Sequence, residues 1–269
     1  MLKIKEISMA DTRRLYQYKA NVKYKIPFTI KGFDYGWILS ARNWQKDDKV
    51  LDVGAAYSNL PNYISTEYGC ETWVADDFGI GANDEFWTRN LSPHEHINKH
   101  PETRYVLERV GNPETSSLPK DYFDVVYSAS ALEHVPADLT PAVWRHMFDL
   151  LKPGGELIHA LDILFPSNGG LRKMIQATLF DQLPFLFPKQ MQLDHYLATP
   201  KTYTRLVLKT LGANAMPPMK NLNIWSMCLD PEVVTNSLAF GWNRIVKDDI
   251  KDYRHNRFGS LLIHLIKKN

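Results

Sequence analysis

The chain has 269 residues, 44% of them apolar and 23% charged, which is the profile of a globular protein with a sizeable core and excludes a low-complexity chain. A net charge of +2 singles out no partner class, and two cysteines, Cys70 and Cys228, far apart and in no ligand-like spacing, argue against a disulfide scaffold or a thiolate metal site. No run approaches the roughly 18 apolar residues of a membrane helix, and Met1-Leu2-Lys3-Ile4-Lys5 has no apolar leader, so no membrane contact and a cytoplasmic location are expected.

In the first stretch Lys3, Lys5, Arg13, Arg14, Lys19, Lys23, Lys25 and Lys31 face only Glu6 and Asp11. Residues 1–35 read as a helical arm anchored by Leu15 and Tyr18, its basic face solvated in preference to binding nucleic acid. Trp37 through Trp44 reads as a helix, and Asp47-Asp48 as the turn into a strand. That strand, Val50-Leu51-Asp52-Val53, ends in a turn of small residues, Gly54-Ala55-Ala56, and a helix follows with Pro61 in its first turn and Leu60, Tyr63 and Ile64 on one face. Strand, tight turn and helix make the unit whose helix start offers free N–H groups to a ligand in a doubly wound α/β protein.

Glu71 to Ala75 is a second strand, ending in Asp76-Asp77. A carboxylate about twenty positions beyond a glycine turn, at the end of the second strand, stands where nucleoside-binding folds hold ribose hydroxyls. Asp76, the first after the apolar run, is preferred over Asp77. Residues 79–101 read as a surface loop; His94, His96 and His100 lack the partners a metal site requires, so no metal is expected. Strands follow at Tyr105 to Val110 and Tyr122 to Ser128, then a helix capped by Thr140 with Trp144, Met147, Phe148 and Leu151 as its apolar stripe. After Lys152-Pro153-Gly154-Gly155 comes a fifth strand, Glu156 to Leu164.

Beyond it, Leu171 to Leu179 reads as a helix and Phe185 to Tyr196 as an irregular aromatic segment, which either shapes an apolar acceptor pocket or packs an inserted helix down. Thr202 to Leu211 is a helix, Ile224 to Leu229 a sixth strand, Pro231 to Ala239 a helix, and Gly259 to Ile266 the closing strand.

Five ordered motifs, Asp52-Val53-Gly54, the acidic end of the second strand, Leu118-Pro119 leading into Phe123-Asp124, Ala131-Leu132-Glu133-His134-Val135 and Leu151 to Gly155, together resemble the class I S-adenosylmethionine-dependent methyltransferases of the small-molecule type. The resemblance covers roughly residues 35–165. It implies a single α/β domain with a Rossmann-like doubly wound, mostly parallel seven-stranded sheet: a cofactor-binding half at 36–165, a cap inserted after the fifth strand at 166–204, and C-terminal strands and helix at 205–269. It also implies S-adenosyl-L-methionine as methyl donor and S-adenosyl-L-homocysteine as product. Asp52, Gly54 and Ala55 would meet the methionine end, Asp76 or Asp77 the ribose, Asn112 the adenine edge and Ser128 the methionine region. Ala56 and Ser58 stand where the family often has glycine.

Methyl transfer from a sulfonium needs mainly alignment, and a base only where the acceptor is a weak acid such as a hydroxyl. The candidates are His134, His159, Asp162 and His195, and because several lie near the mouth, oxygen of a small molecule is the expected acceptor. His159 and Asp162 cannot share a face of one regular strand, their separation being odd. Two alternatives stand beside this: an RNA methyltransferase using the basic arm, and a non-catalytic cofactor-binding or scaffold protein of the same fold. A monomer or homodimer is expected.

Overall fold

A computed structural model of the chain describes residues 2–26, 30–78, 92–136, 138–166, 200–213 and 256–269. In chain order the elements are β1 (Leu2–Met9), α1 (Thr12–Asn21), α2 (Ile30–Ser40), β2 (Lys49–Val53), α3 (Leu60–Tyr68), β3 (Glu71–Ala75), α4 (Pro93–Asn98), β4 (Thr103–Val106), β5 (Phe123–Ala129), a 3-10 turn (Leu132–His134), α5 (Thr140–Leu150), β6 (Leu151–Pro166), α6 (Pro200–Thr210) and β7 (Asn256–Lys267).

The strands form one seven-stranded sheet in the order β1-β7-β6-β5-β2-β3-β4. Pairing is parallel from β4 through β3, β2 and β5 to β6, and antiparallel from β6 to β7 and from β7 to β1. All strands but β7 therefore point the same way. The central strands are apolar on both sides because helices cover both faces, as parallel pairing requires. Leu51, Val53, Val126, Leu157 and Leu161 pack with Trp144, Met147 and Leu150 of α5 and Val207 and Leu208 of α6. Val50, Tyr127, Ile158 and Ala160 pack on the other face with Leu15 and Tyr18 of α1, Phe33, Trp37 and Ile38 of α2, and Leu60 and Ile64 of α3.

Several expectations change. Residues 2–9 are a strand, not helical arm: Leu2-Lys3-Ile4-Lys5 alternates apolar and charged residues at the strand period, and β1 covers the outer edge of β7. Leu15 and Tyr18 do anchor α1, whose start is capped by Asp11 accepting the Arg14 amide at 3.1 Å. The helix expected from Trp37 begins earlier, at Ile30, and the third strand is Thr103–Val106. Within the expected 79–101 loop, Ser92 and Glu95 form a reciprocal capping pair that starts α4. Thr140 opens α5 without capping it, its hydroxyl donating to Pro136 O at 3.1 Å. The helices expected at 171–179 and 231–239, the strand at 224–229, and most of the cap lie outside the described residues. No described helix is long and apolar enough to cross a membrane.

Candidate active site

The chain order runs outward from β2 through β3 to β4, then returns to build β5, β6 and β7 on the other side. The loops leaving β2 and β5 at their carboxyl ends therefore flank the switch point at which open α/β sheets take ligands. Gly54 leaves β2 at φ +79°, and a Cβ there would stand 2.4 Å from Ala131 Cβ, so the two loops are in direct contact. Ala56 follows at φ 47°, a left-handed conformation that costs a non-glycine residue about 1–2 kcal/mol. Its amide donates to Asp76 Oδ2 at 2.7 Å, and the amide of Phe78, itself at φ 50°, donates to Asp76 Oδ1 at 2.6 Å. Asp76 thus holds the turns after β2 and β3 together. Ser130 after β5, at φ 51°, makes a third such position on the carboxyl edge, while Asp47 and Asp121, at φ 67° and 51°, stand just before β2 and β5 at the other edge.

Asp52 lies in register with Tyr127 of β5 and shares its face, the one covered by α2. It is 2% exposed, and burial pushes its carboxyl up to about 8; the nearby Tyr127 hydroxyl offsets part of this and the charge of Asp76 adds to it. Among the described residues, neither Asp52 Oδ1 nor the Tyr127 hydroxyl makes a hydrogen bond of good geometry. A buried carboxyl with an open acceptor oxygen therefore stands two residues before the Gly54 turn.

The other expected residues scatter. Ala55 is buried in the turn, its carbonyl accepting the Ser58 amide at 2.9 Å. Asp77 pairs with Arg109 instead of turning inward. Asn112 is exposed and its Oδ1 accepts the Glu114 amide at 3.2 Å. Ser128, one residue beyond Tyr127, points to the opposite face from Asp52, beside its register partner His159. His159 is fully buried edge-on to Trp144, with ring centroids 4.5 Å apart and, among the described residues, no hydrogen-bond partner for either ring nitrogen; burial, with His264 adding, drops its pKa to about 3. It is neutral and sealed away from Asp162, which lies on the α2 face. His134 is exposed on the 3-10 turn, and His195 lies outside the described residues. Among the described residues no group of three or more His, Cys, Asp or Glu is arranged to hold a metal ion.

What the sequence reading missed is a buried polar group around Asp162. Helix α2, otherwise apolar where it meets the sheet, carries Lys31 and Asp34 inward. Lys31 Nζ lies 3.6 Å from Asp162 Oδ2, and the Asp34 carboxyl accepts from Ser260 at 2.7 Å and Ser130 at 2.9 Å. Glu133, on the 3-10 turn, accepts the Asp162 backbone amide at 3.3 Å. Burial, then the charge of Asp162, raises the carboxyls of both Asp34 and Glu133, while Asp162 and Asp34 raise Lys31 against the opposing effect of burial. The available signal was the i, i+3 pair of charges on an apolar helix, and a glutamate inside the Ala131 to Val135 motif.

A methyltransferase-domain family model matches residues 36–212. No curated protein sequence matches the chain significantly. Among solved structures, a geranyl diphosphate methyltransferase in complex with S-adenosylmethionine is 14% identical over 98% of this chain and 98% of that one, with a TM-score of 0.52. Geranyl diphosphate C-methyltransferase from Streptomyces coelicolor A3(2) is 13% identical over 87% and 76%, with a TM-score of 0.51. Phosphoethanolamine N-methyltransferase 2 from Haemonchus contortus is 14% identical over 95% of this chain but 60% of that longer one, with a TM-score of 0.50. At such identities the likeness speaks for the fold; the family model, spanning most of the chain and the whole switch-point crevice, speaks for descent, and the chain belongs to the class I S-adenosylmethionine-dependent methyltransferases.

Proposed function

We propose that this chain transfers the methyl group of S-adenosylmethionine to a small-molecule acceptor at a heteroatom that must lose a proton, the oxygen expected from the sequence or a nitrogen in its place. The observation that carries the reading is the placement of Asp34, Glu133 and Asp162 at the carboxyl ends of β5 and β6, beside the Ala131 and Gly54 contact. Burial raises the Asp34 and Glu133 carboxyls, and a carboxylate raised toward working pH is a competent base for such a proton. Of the four candidate bases, Asp162 lies beside these two. The solved relatives act on geranyl diphosphate and phosphoethanolamine, which supports a small acceptor.

The cofactor fits the donor set. The open Asp52 Oδ1 suits the ammonium of the methionine tail, with the Gly54 and Ala55 backbone alongside. Asp76 has one lone pair left on each oxygen for ribose hydroxyls, and Asn112 keeps its NH2 for the adenine edge. When bound, S-adenosylmethionine supplies an activated methyl on a cationic sulfur; the chain's contribution is to align it and to hold the acceptor's proton. Residues 166–204 would cover the acceptor, and the chain would act as a monomer or homodimer in the cytoplasm, a reducing compartment that suits the buried free thiol of Cys70.

Lys5, Arg14, Lys23 and Lys31 of the basic arm are paired with Glu156, Glu6, Glu67 and Asp162, which weakens the RNA-binding alternative. Calorimetric titration with S-adenosylmethionine and S-adenosylhomocysteine tests the reading: micromolar binding of both supports it, and no binding at millimolar cofactor moves the scaffold alternative to first place. Salt-steep RNA binding would restore the RNA reading.

A further inference from the structure

The polar group on the α2 face sets three buried carboxyls beside one ammonium. Asp34, Glu133 and Asp162 are each at most 2% exposed, and among the described residues the one ammonium set among them is that of Lys31. Both Asp34 oxygens are occupied by serine hydroxyls. Among the described residues Glu133 Oε2 and Asp162 Oδ1 have no hydrogen-bond donor, and Asp162 Oδ2 has only the Lys31 ammonium, 3.6 Å away. Leaving buried carboxylates unpaired is costly, several kcal/mol for each ion, so the remaining charge must be met by protons or by a second cation. The group is assembled from α2, the loop after β5, β6 and β7, and it abuts the loop whose Ala131 packs on Gly54. A cation held there would lie beside the loop that packs on the Gly54 turn.

We propose that the acceptor is an amine, held as its ammonium by Asp162 and Glu133 and methylated on nitrogen. This rests on the methyl-transfer reading and names its substrate class. An ammonium offers three N–H donors and a full charge, against the single donor of a hydroxyl. In the reaction Asp162 or Glu133 takes one proton from the ammonium; the freed nitrogen lone pair forms the N–C bond as the C–S bond breaks, and that electron pair returns to sulfur, which leaves as a neutral thioether. The positive charge lost by sulfur reappears on the methylated nitrogen, still beside the carboxylates.

Thermal melting of the full chain in methylammonium chloride and in sodium chloride at equal ionic strength tests the site without any assumption about the cofactor. Methylammonium is expected to raise the melting temperature by a few degrees over sodium, and Asp162→Asn and Glu133→Gln to remove the difference. Equal shifts from both salts in the unsubstituted protein overturn the proposal, whether or not the variants fold. S-adenosylhomocysteine release is then followed with a series of primary amines and their hydroxyl counterparts, ethanolamine against ethylene glycol among them. Amines are expected to exceed the hydroxyl compounds in kcat/KM by about 10-fold or more; turnover of the hydroxyl compounds alone overturns the amine assignment and leaves methyl transfer standing. Absence of S-adenosylmethionine binding by calorimetry instead overturns the transfer reading beneath it.

Discussion

Asp76 Oδ2 accepts the backbone amide of Ala56 at 2.7 Å, and this bond fixes the turn after β2 to the end of β3. The other oxygen takes the amide of Phe78. Replacing the side chain with alanine orphans both amides, at about 1–3 kcal/mol each if they stay dry. Asp76→Ala is therefore expected to lower the urea midpoint and to weaken S-adenosylmethionine binding, with Asp76→Asn intermediate because one carbonyl oxygen remains. Unchanged stability and affinity in Asp76→Ala would remove Asp76 from both roles.

Gly54 is bound by two independent constraints, its φ of +79° and the 2.4 Å approach of Ala131 Cβ to the place its own Cβ would occupy. Gly54→Ala is expected to destabilise by more than the ~1 kcal/mol of the backbone term alone. Adding Ala131→Gly opens the space and leaves the backbone conformation as it was, so the double variant should recover part of the loss. Recovery of all of it would mean that the dihedral angle carries no strain.

The β2 turn was legible because three local signals coincide there: an apolar run, a glycine and a helix start at Pro61. The same holds for β3, β5 and, in α5, for Trp144 and Met147, whereas Leu151, expected as the last residue of that stripe, opens β6 instead. Strand β1 was obscured because the charges of Lys3 and Lys5 mask the period-two alternation, and because its partner β7 lies some 250 residues away in the chain, a pairing that no local window contains. The Lys31, Asp34, Glu133 and Asp162 group was hidden for the same reason: its members come from three separate segments, and burial of charge is a tertiary property. Conversely, Asp76, assigned from spacing to the ribose, is seen to hold its own turn. His159, chosen for its chemistry, is neutral and lies on the opposite face to Asp162.

Glu156 lies at the junction of β6, β7 and the loop after α2, with His264 Nε2 at 2.5 Å, Lys5 Nζ at 3.2 Å and Arg42 at 3.4 Å. Burial raises its pKa, but the hydrogen bond and charge of His264, then Arg42 and Lys5, outweigh this and hold it down at about 2. A depressed carboxylate binds fewer protons in the folded than in the unfolded state, so its contribution is present above the ordinary carboxylate range and lost as pH falls toward about 2. Glu156→Gln is expected to lower the melting temperature at neutral pH and to flatten its fall on acidification between about 4.5 and about 2. A parallel fall in both proteins would show that the carboxylate contributes nothing to acid sensitivity.

Asp52 has the opposite sign. Its folded pKa of about 8 lies above the unfolded value near 3.8, so the folded protein without cofactor holds the proton more tightly, and ionisation on raising the pH between these values costs stability. Asp52→Asn cannot ionise and should abolish that decline. If the methionine ammonium settles on Asp52 Oδ1, it favours the carboxylate, and binding expels the proton. Below about pH 8, S-adenosylmethionine affinity should then rise with pH, by at most about 10-fold per pH unit for one proton released. Calorimetry at pH about 6.5 in phosphate and in Tris separates the proton from the binding heat, because the two buffers differ in ionisation enthalpy. The expected result is close to one proton released by the unsubstituted protein and none by Asp52→Asn. Equal release from both would place the cofactor's ammonium elsewhere, while zero release from both would mean that Asp52 keeps its proton when the cofactor binds.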